Sequence, residues 1–280
     1  MLHRPRSTAE ALDFLAAGPA TLIAGGTDVF PALVDRPPPE RLIDLTSIPG
    51  LRGIAVGRDA IRIGAATTWT DIARADLPPS CRMLQMAARE IGAIQIQNRA
   101  TIGGNLCNAS PAADGAPPLI ALDAQVELAS SRGLRVAPVE NFLIGNRKTL
   151  RAADEIMTAV VIPRAFDDAL SVFLKLGARK YLVISIVMAA ALVDLDSERR
   201  VRVARIAVGA ASASARRLRN LESRLVGMPA DGDFRARIED ADFAALSPID
   251  DVRATAAYRI DAARELVARA LRLAGGAKDA

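Results

Sequence analysis

The chain is poor in the residues on which most polar enzyme chemistry depends. Its 280 residues include one histidine, His3, and two cysteines, Cys81 and Cys107. A lone histidine beside the N-terminus excludes a Ser-His-Asp triad, an H-E-x-x-H zinc helix and any histidine-based metal site within this chain. Two thiols are too few for a four-thiolate zinc or iron–sulfur site, and they do not make a disulfide framework. Aromatic residues are only 4% of the sequence, so the core must be aliphatic. No apolar run is long enough to span a bilayer; the best, YLVISIVMAAALV at 181–193, falls short. The start, MLHRPRSTAEALDF, lacks an apolar signal core. A cytoplasmic chain without a membrane span is therefore expected. Neither G-x-G-x-x-G nor G-x-x-x-x-G-K-[ST] occurs, which removes the Rossmann fingerprint and the P-loop. The net charge of +4 is spread over mixed arginines and acids, with no long basic run and almost no aromatic interleaving. Nucleic acid is not an expected partner.

What is present suffices for a sizeable core, since 51% of residues are hydrophobic. Ser7, with Glu10 three residues on and Gly18 beyond, marks a helix over 7–18. Short strands follow at ATLI and at 41–46. Alternation around a Gly-Arg-Asp turn predicts a hairpin over 54–63, and Thr68 with Asp71 opens a helix. A helix is expected over 81–94, a second hairpin around Ser-Arg-Gly at 131–133, and a strand over 155–163 ending at Pro163. Residues 164–170 have the composition of a linker. From 171 the texture changes to about three strands, then helices expected at 214–226, 233–245 and 251–274. On the last, Val252, Ala256, Ala263, Val267 and Leu271 fall near one face. The fold class expected is α+β.

Two glycine pairs stand out, in AGGTDVFP at 24–31 and TIGGNLCNASP at 101–111. Each follows an apolar or β-branched lead-in and precedes small polar residues. Glycine tolerates positive φ and lets backbone approach an anion closely, so successive N–H groups can converge on a phosphate. Two such segments suit a pyrophosphate gripped from two sides. Thr27, Thr101, Ser110, Asn105 and Asn108 add uncharged donors. Asp28 and Asp114 would repel the anion and make better sense as acceptors for ribose hydroxyls or loop N–H groups. Taken alone, either pair also reads as a plain turn.

With AGGTD, NRATIGGNLCNASPAADGAPPLIALDA, FLKLGAR and DVRATAAYRIDAARELVARAL in this order, the chain resembles the flavoprotein (medium) subunit of the molybdenum hydroxylases, the family of carbon monoxide dehydrogenase and xanthine dehydrogenase. The resemblance covers essentially the whole chain. It implies an FAD-binding domain of the vanillyl-alcohol-oxidase/MurB type over 1–168, in subdomains of about 1–52 and 53–168. A C-terminal domain over 170–278 would follow, a three-stranded antiparallel sheet with helices. Leu22, Ile23, Ala24, Gly25, Gly26, Thr27, Asp28 and Val29 would form the first FAD segment, and Thr101, Ile102, Gly103, Gly104 and Asn105 the second, with Ser110 beyond it. Ile91 would lie near the flavin, Asp114 on the ribose and adenosine side, and Met157 at the adenine half. Lys175 would sit at the pyrimidine edge of the flavin, where a cation stabilises the reduced ring. Residues 179–184 match a loop beside the ring, though their apolar part reads equally as a strand. The family's extra iron–sulfur insertion, seen in one branch, is absent.

The resemblance implies an electron-transfer role. FAD in this chain would take electrons from [2Fe-2S] clusters of a small partner subunit, downstream of a molybdopterin-binding large subunit, and deliver them to NAD, a quinone or another acceptor. Three alternatives stay open on the residues alone: a stand-alone flavin oxidoreductase, a non-flavin interaction protein and a nucleotide-binding regulator. A stand-alone enzyme needs its own acid or base, for which Lys175 and Tyr181 are the only candidates. Cys107 reads as a small buried filler.

Overall fold

The computed structural model describes residues 1–276. The expected C-terminal boundary at 278 and the last residues of the GGAKDA tail lie outside them. Near the N-terminus, β1 (Leu2–His3), β2 (Thr21–Ile23) and β3 (Leu42–Asp44) form a parallel sheet in the order β1-β3-β2, with α1 (Thr8–Ala16) between the first two strands. Ser7 caps α1 by accepting the Glu10 N–H at 3.1 Å. The Glu10 carboxylate takes the Arg6 N–H instead of closing the capping box. Ala11, Leu15, Ile43, Leu45 and Ile48 make a small core here.

The next sheet is antiparallel. It contains β4 (Ile54–Val56), β5 (Ala60–Gly64), β6 (Gln125–Ser130), β7 (Gly133–Pro138) and β10 (Ile156–Pro163), in the order β4-β5-β10-β6-β7. The hairpin β8 (Leu143–Gly145) and β9 (Lys148–Thr149) stands apart from it. Five helices lie between the hairpins: α2 (Trp69–Arg74), α3 (Arg82–Glu90), α4 (Ile94–Gln97), α5 (Ile102–Asn108) and α6 (Ala116–Ala121); α7 (Val139–Phe142) follows β7. Thr68 and Asp71 form the complete capping box expected for α2. The expected helix over 81–94 ends at Glu90, because Ile91 is extended and Gly92 takes φ +54°. Alternation along β10 puts buried Ile156 in the N-terminal core and Met157 in the large one, and a bulge between Met157 and Ala159 then turns Val160 and Ile162 to the Met157 side.

The C-terminal sheet has β11 (Leu170–Leu176), β12 (Val187–Leu195) and β13 (Val201–Gly209) as long antiparallel strands, with a two-residue fourth strand, β14 (Arg216–Arg217). The expected sheet thus gains a strand from the segment expected to begin a helix, and α8 runs only over Arg219–Leu225. Met188, Ala190 and Leu192 of β12 face the core of the preceding sheet. Val187, Ala189, Ala191 and Val193 face a second core with α8 and α9 (Ala256–Ala274). Burial on both faces explains the unbroken apolar run in this strand. Thr255 caps α9, so Val252 lies before the helix and is fully exposed. The helix expected at 233–245 is two short 3₁₀ turns, Arg235–Arg237 and Asp240–Phe243, broken by extended Ile238 and Glu239. Arg224 of α8 pairs with both Glu239 and Asp242 there, and these contacts override the helical pattern. The linker-like 164–170 is packed and tied down by the Arg164–Asp167 pair and by Ser80 N–H on the Asp167 carbonyl. Residues 177–186 form an irregular loop, not a strand. Among the described residues, no helix is long and apolar enough to cross a membrane.

Candidate functional site

A cavity of about 580 Å³ opens between the two glycine segments, within the usual range for a small-molecule site. One wall is the turn that leaves β2. The other is the N-terminal part of α5, since TIGGNLCN is helical and not a glycine turn. Ile91, Ile96, Leu45, Leu51 and Met157 supply apolar lining.

The two walls do different work. In the first, the N–H groups of Gly25, Gly26, Thr27 and Asp28 have no acceptor among the described residues. Gly26 holds φ +73°, which favours glycine. A Cβ on Gly25 would fall on the Arg99 carbonyl and within 2.9 Å of the Ala100 Cα. Only glycine lets this turn touch the segment before α5. In the second wall every early N–H is already used. Ile102 donates to the Thr67 carbonyl, Gly103 to the Ala65 carbonyl, Gly104 to Thr101 Oγ1 and Asn105 to the Thr101 carbonyl, at 3.0, 2.9, 3.1 and 2.9 Å. The expectation that backbone donors converge from both segments is corrected on this point: the first supplies them, and the second is spent on its own cap and on the loop at 65–67. Gly103 is required by packing, because a Cβ there would sit 2.7 Å from Ala65 Cβ. Gly104 differs. Its Cβ would meet only Thr101 Oγ1, at 3.0 Å, and otherwise open space.

Asn105 Oδ1 is buried with no hydrogen-bond partner, but it lies against Gly115, where an added Cβ would come within 2.9 Å of it, and not toward the cavity. Asn108 donates to Asp28 Oδ1 at 2.7 Å and accepts from Arg147, which latches the two walls at the mouth. Asp28 and Arg151 are the charged residues of the lining.

Of the expected site residues, Leu22, Ala24, Gly25, Gly26, Thr27, Asp28, Val29, Ile91, Thr101, Gly103, Gly104, Asn105 and Met157 line this cavity. Ile23 and Ile102 are buried behind it. Ser110 lies outside the lining and its hydroxyl accepts the Ala112 N–H in a turn. Asp114 and Lys175 also lie outside the lining, and they meet each other. Lys175 Nζ is 2.7 Å from Asp114 Oδ2 and 3.2 Å from the Glu90 carbonyl, while Ser185 donates to Asp114 Oδ1 at 2.6 Å. Burial pushes the Asp114 carboxyl up, against the pull of the Lys175 ammonium and the Lys175 and Ser185 hydrogen bonds. The pair ties the segment before α6 to β11.

Cys107 lines the cavity, contrary to its reading as filler. Burial pushes its thiol up to about 11, so it is no thiolate nucleophile at neutral pH. Sequence reasoning missed Arg151 and Ile96. Arg151 lies in an unremarkable turn between β9 and β10, with no motif around it.

These walls suit an FAD. Free N–H groups on a glycine turn fit a diphosphate, and the aliphatic lining fits flat rings. Residues 1–165 match the family described as the FAD binding domain in molybdopterin dehydrogenase, and residues 173–274 match the CO dehydrogenase flavoprotein C-terminal domain. The chain is an FAD-binding subunit of the molybdenum hydroxylase family. It is 32% identical to the putative xanthine dehydrogenase FAD-binding subunit of Escherichia coli (strain K12), over 98% of this chain and 97% of that protein. It is 32% identical to the carbon monoxide dehydrogenase medium chain of Hydrogenophaga pseudoflava, over 97% and 96%. A solved carbon monoxide dehydrogenase from Hydrogenophaga pseudoflava, lacking the Mo-pyranopterin moiety, superposes with a TM-score of 0.89 at 31% identity, covering 98% of this chain and 96% of that one. This molybdenum hydroxylase subunit is therefore an oxidoreductase component with FAD as its cofactor.

Proposed function

We propose that this subunit carries electrons in a heteromeric molybdenum hydroxylase. Bound FAD would supply the redox chemistry between [2Fe-2S] clusters of a small partner subunit and an external acceptor such as NAD or a quinone. A molybdopterin-binding large subunit would hold the organic substrate, and the assembly would be cytoplasmic. The fold would be of the vanillyl-alcohol-oxidase/MurB type over 1–168, in subdomains of about 1–52 and 53–168, with the C-terminal domain starting at about 170.

The chain's own residues bind and orient. The free N–H groups of Gly25 to Asp28 hold the diphosphate. Gly104 leaves room for it, beside Asn105. Ile91 packs near the flavin, and Met157 against the adenine half. The buried Asp114–Lys175 pair fixes β11 against the FAD domain; Lys175 is proposed to act on the flavin's pyrimidine edge from there. The observation that carries the reading is the asymmetric cleft: one wall of free N–H groups facing a helical wall that presents no side chain at Gly104. A stand-alone oxidoreductase is the less supported reading, because the lining offers only Asp28 and Arg151 as charged groups and Asp28 is latched to Asn108. Purification from the native source under mild conditions tests the subunit reading. A flavin spectrum with molybdenum- and iron-containing partners is expected; a homogeneous, active chain without partners would refute it.

A further inference from the structure

Arg151 is the one cation in the cavity lining, and it belongs to none of the motifs that identify the family. It is partly buried. Its Nη1 donates to the main-chain carbonyls of Ala152 and Glu155, at 3.1 and 2.7 Å. Those two bonds hold the guanidinium beside the start of β10, next to Met157. They leave the remaining N–H donors of its planar fork unused among the described residues. No carboxylate of the described residues pairs with Arg151; Glu155, the nearest in sequence, is paired with Arg135 at 2.5 Å. The Arg151 charge also acts on Cys107, whose thiol it pulls down against burial. The guanidinium therefore stands at the Cys107–Met157 end of the cavity. Along α5, at 1.5 Å per residue, that end is about 4.5 Å beyond the Gly104 wall. A pre-positioned arginine fork with no carboxylate partner has donors ready for a ligand's acceptors.

We propose that Arg151 is the specificity-determining contact for the adenylate half of the bound dinucleotide, donating to acceptors on its base or its 5′-phosphate. The proposal rests on the FAD reading above, which places the adenine half at Met157. It deepens that reading in one respect: the preference for FAD over FMN resides in a side chain as well as in the glycine segments. FMN lacks the adenylate and cannot use Arg151, whereas its single phosphate can still take part of the free N–H groups of Gly25 to Asp28.

The test uses the full chain stripped of flavin, titrated with FAD and FMN by fluorescence, with ADP and adenosine as competitors. Arg151→Met is expected to weaken FAD binding by about tenfold or more, the size of a lost charge-assisted hydrogen bond, and to leave FMN binding unchanged. Arg151→Lys, which keeps the charge without the fork, should fall between. Loss of both competitors places the contact on adenosine; loss of ADP alone places it on the phosphate, and either supports the proposal. A variant that fails to fold would lose FMN as well, so the FAD-to-FMN ratio is internally controlled, and the lysine variant provides the second measurement. Wild type that binds FAD beside an Arg151→Met variant with the wild-type FAD-to-FMN ratio overturns the proposal alone. Wild type that does not bind FAD overturns the flavin reading and the proposal together.

Discussion

Gly104→Ala separates binding from folding at the second wall. Gly104 is helical, so alanine is favoured there by up to about 1 kcal/mol. The added methyl has one protein neighbour, Thr101 Oγ1 at 3.0 Å, which must give by a few tenths of an ångström. That oxygen caps the Gly104 N–H, and a full cap is worth about 1 kcal/mol, so disturbing it costs at most a similar amount. The two effects oppose each other, and the flavin-free variant should melt within about 4 °C of wild type. The methyl also projects into the cavity, where a ligand lying against the helix must retreat. Losing one charge-assisted hydrogen bond in that retreat costs about 1.5–3 kcal/mol, or roughly ten- to a hundredfold in affinity. Thermal melts of the stripped chain and FAD titration by fluorescence read the two quantities separately. Wild-type FAD affinity in a folded Gly104→Ala variant would refute the placement of the diphosphate against this wall.

Gly25→Ala should behave in the opposite way. Its Cβ would sit 2.5 Å from the Arg99 carbonyl carbon, so the walls must part, and overpacking of about 1–3 kcal/mol should lower the melting temperature even without ligand; an unchanged melt would contradict the close approach seen here. Lys175→Met leaves the Asp114 carboxylate buried without its cation, a loss of about 3–5 kcal/mol near neutral pH. The Asp114 pKa is already raised by burial and rises further in the variant. An acid whose folded pKa lies above its unfolded value contributes most stability below the unfolded value and loses it as pH rises through the folded one. The deficit should therefore shrink on acidification, and Asp114→Asn added to Lys175→Met should recover part of it. Denaturant melts across pH check this, and a deficit flat in pH would refute it.

Local signals were legible where one contact decided the outcome. Thr68 and Asp71 name their own capping box, and the alternation at 54–63 names its hairpin. The apolar run at 187–193 fell among the strands expected from 171. Reading failed where partners came from elsewhere. The 233–245 pattern has helical spacing, yet Arg224 draws Glu239 and Asp242 into a broken turn. The second glycine pair looked like a turn with free donors. Its N–H groups are consumed by Thr101, Thr67 and Ala65, because Gly103 packs directly on the loop at 65–67. Asp114 and Lys175 were each legible as polar residues in a family motif. Their pairing across 61 positions was not. Arg151 had no local signal at all, since only the course of β10 brings it to the cavity.

The central claim is that one FAD sits between these two walls. The most direct measurement is the FAD-to-protein ratio of the full chain after reconstitution and removal of free flavin, for wild type and Gly104→Ala together. One FAD per wild-type chain, and a clearly lower FAD content on a variant that melts like wild type, is the predicted result. A wild-type chain that stays colourless after reconstitution, or a variant that retains the full complement, would contradict it.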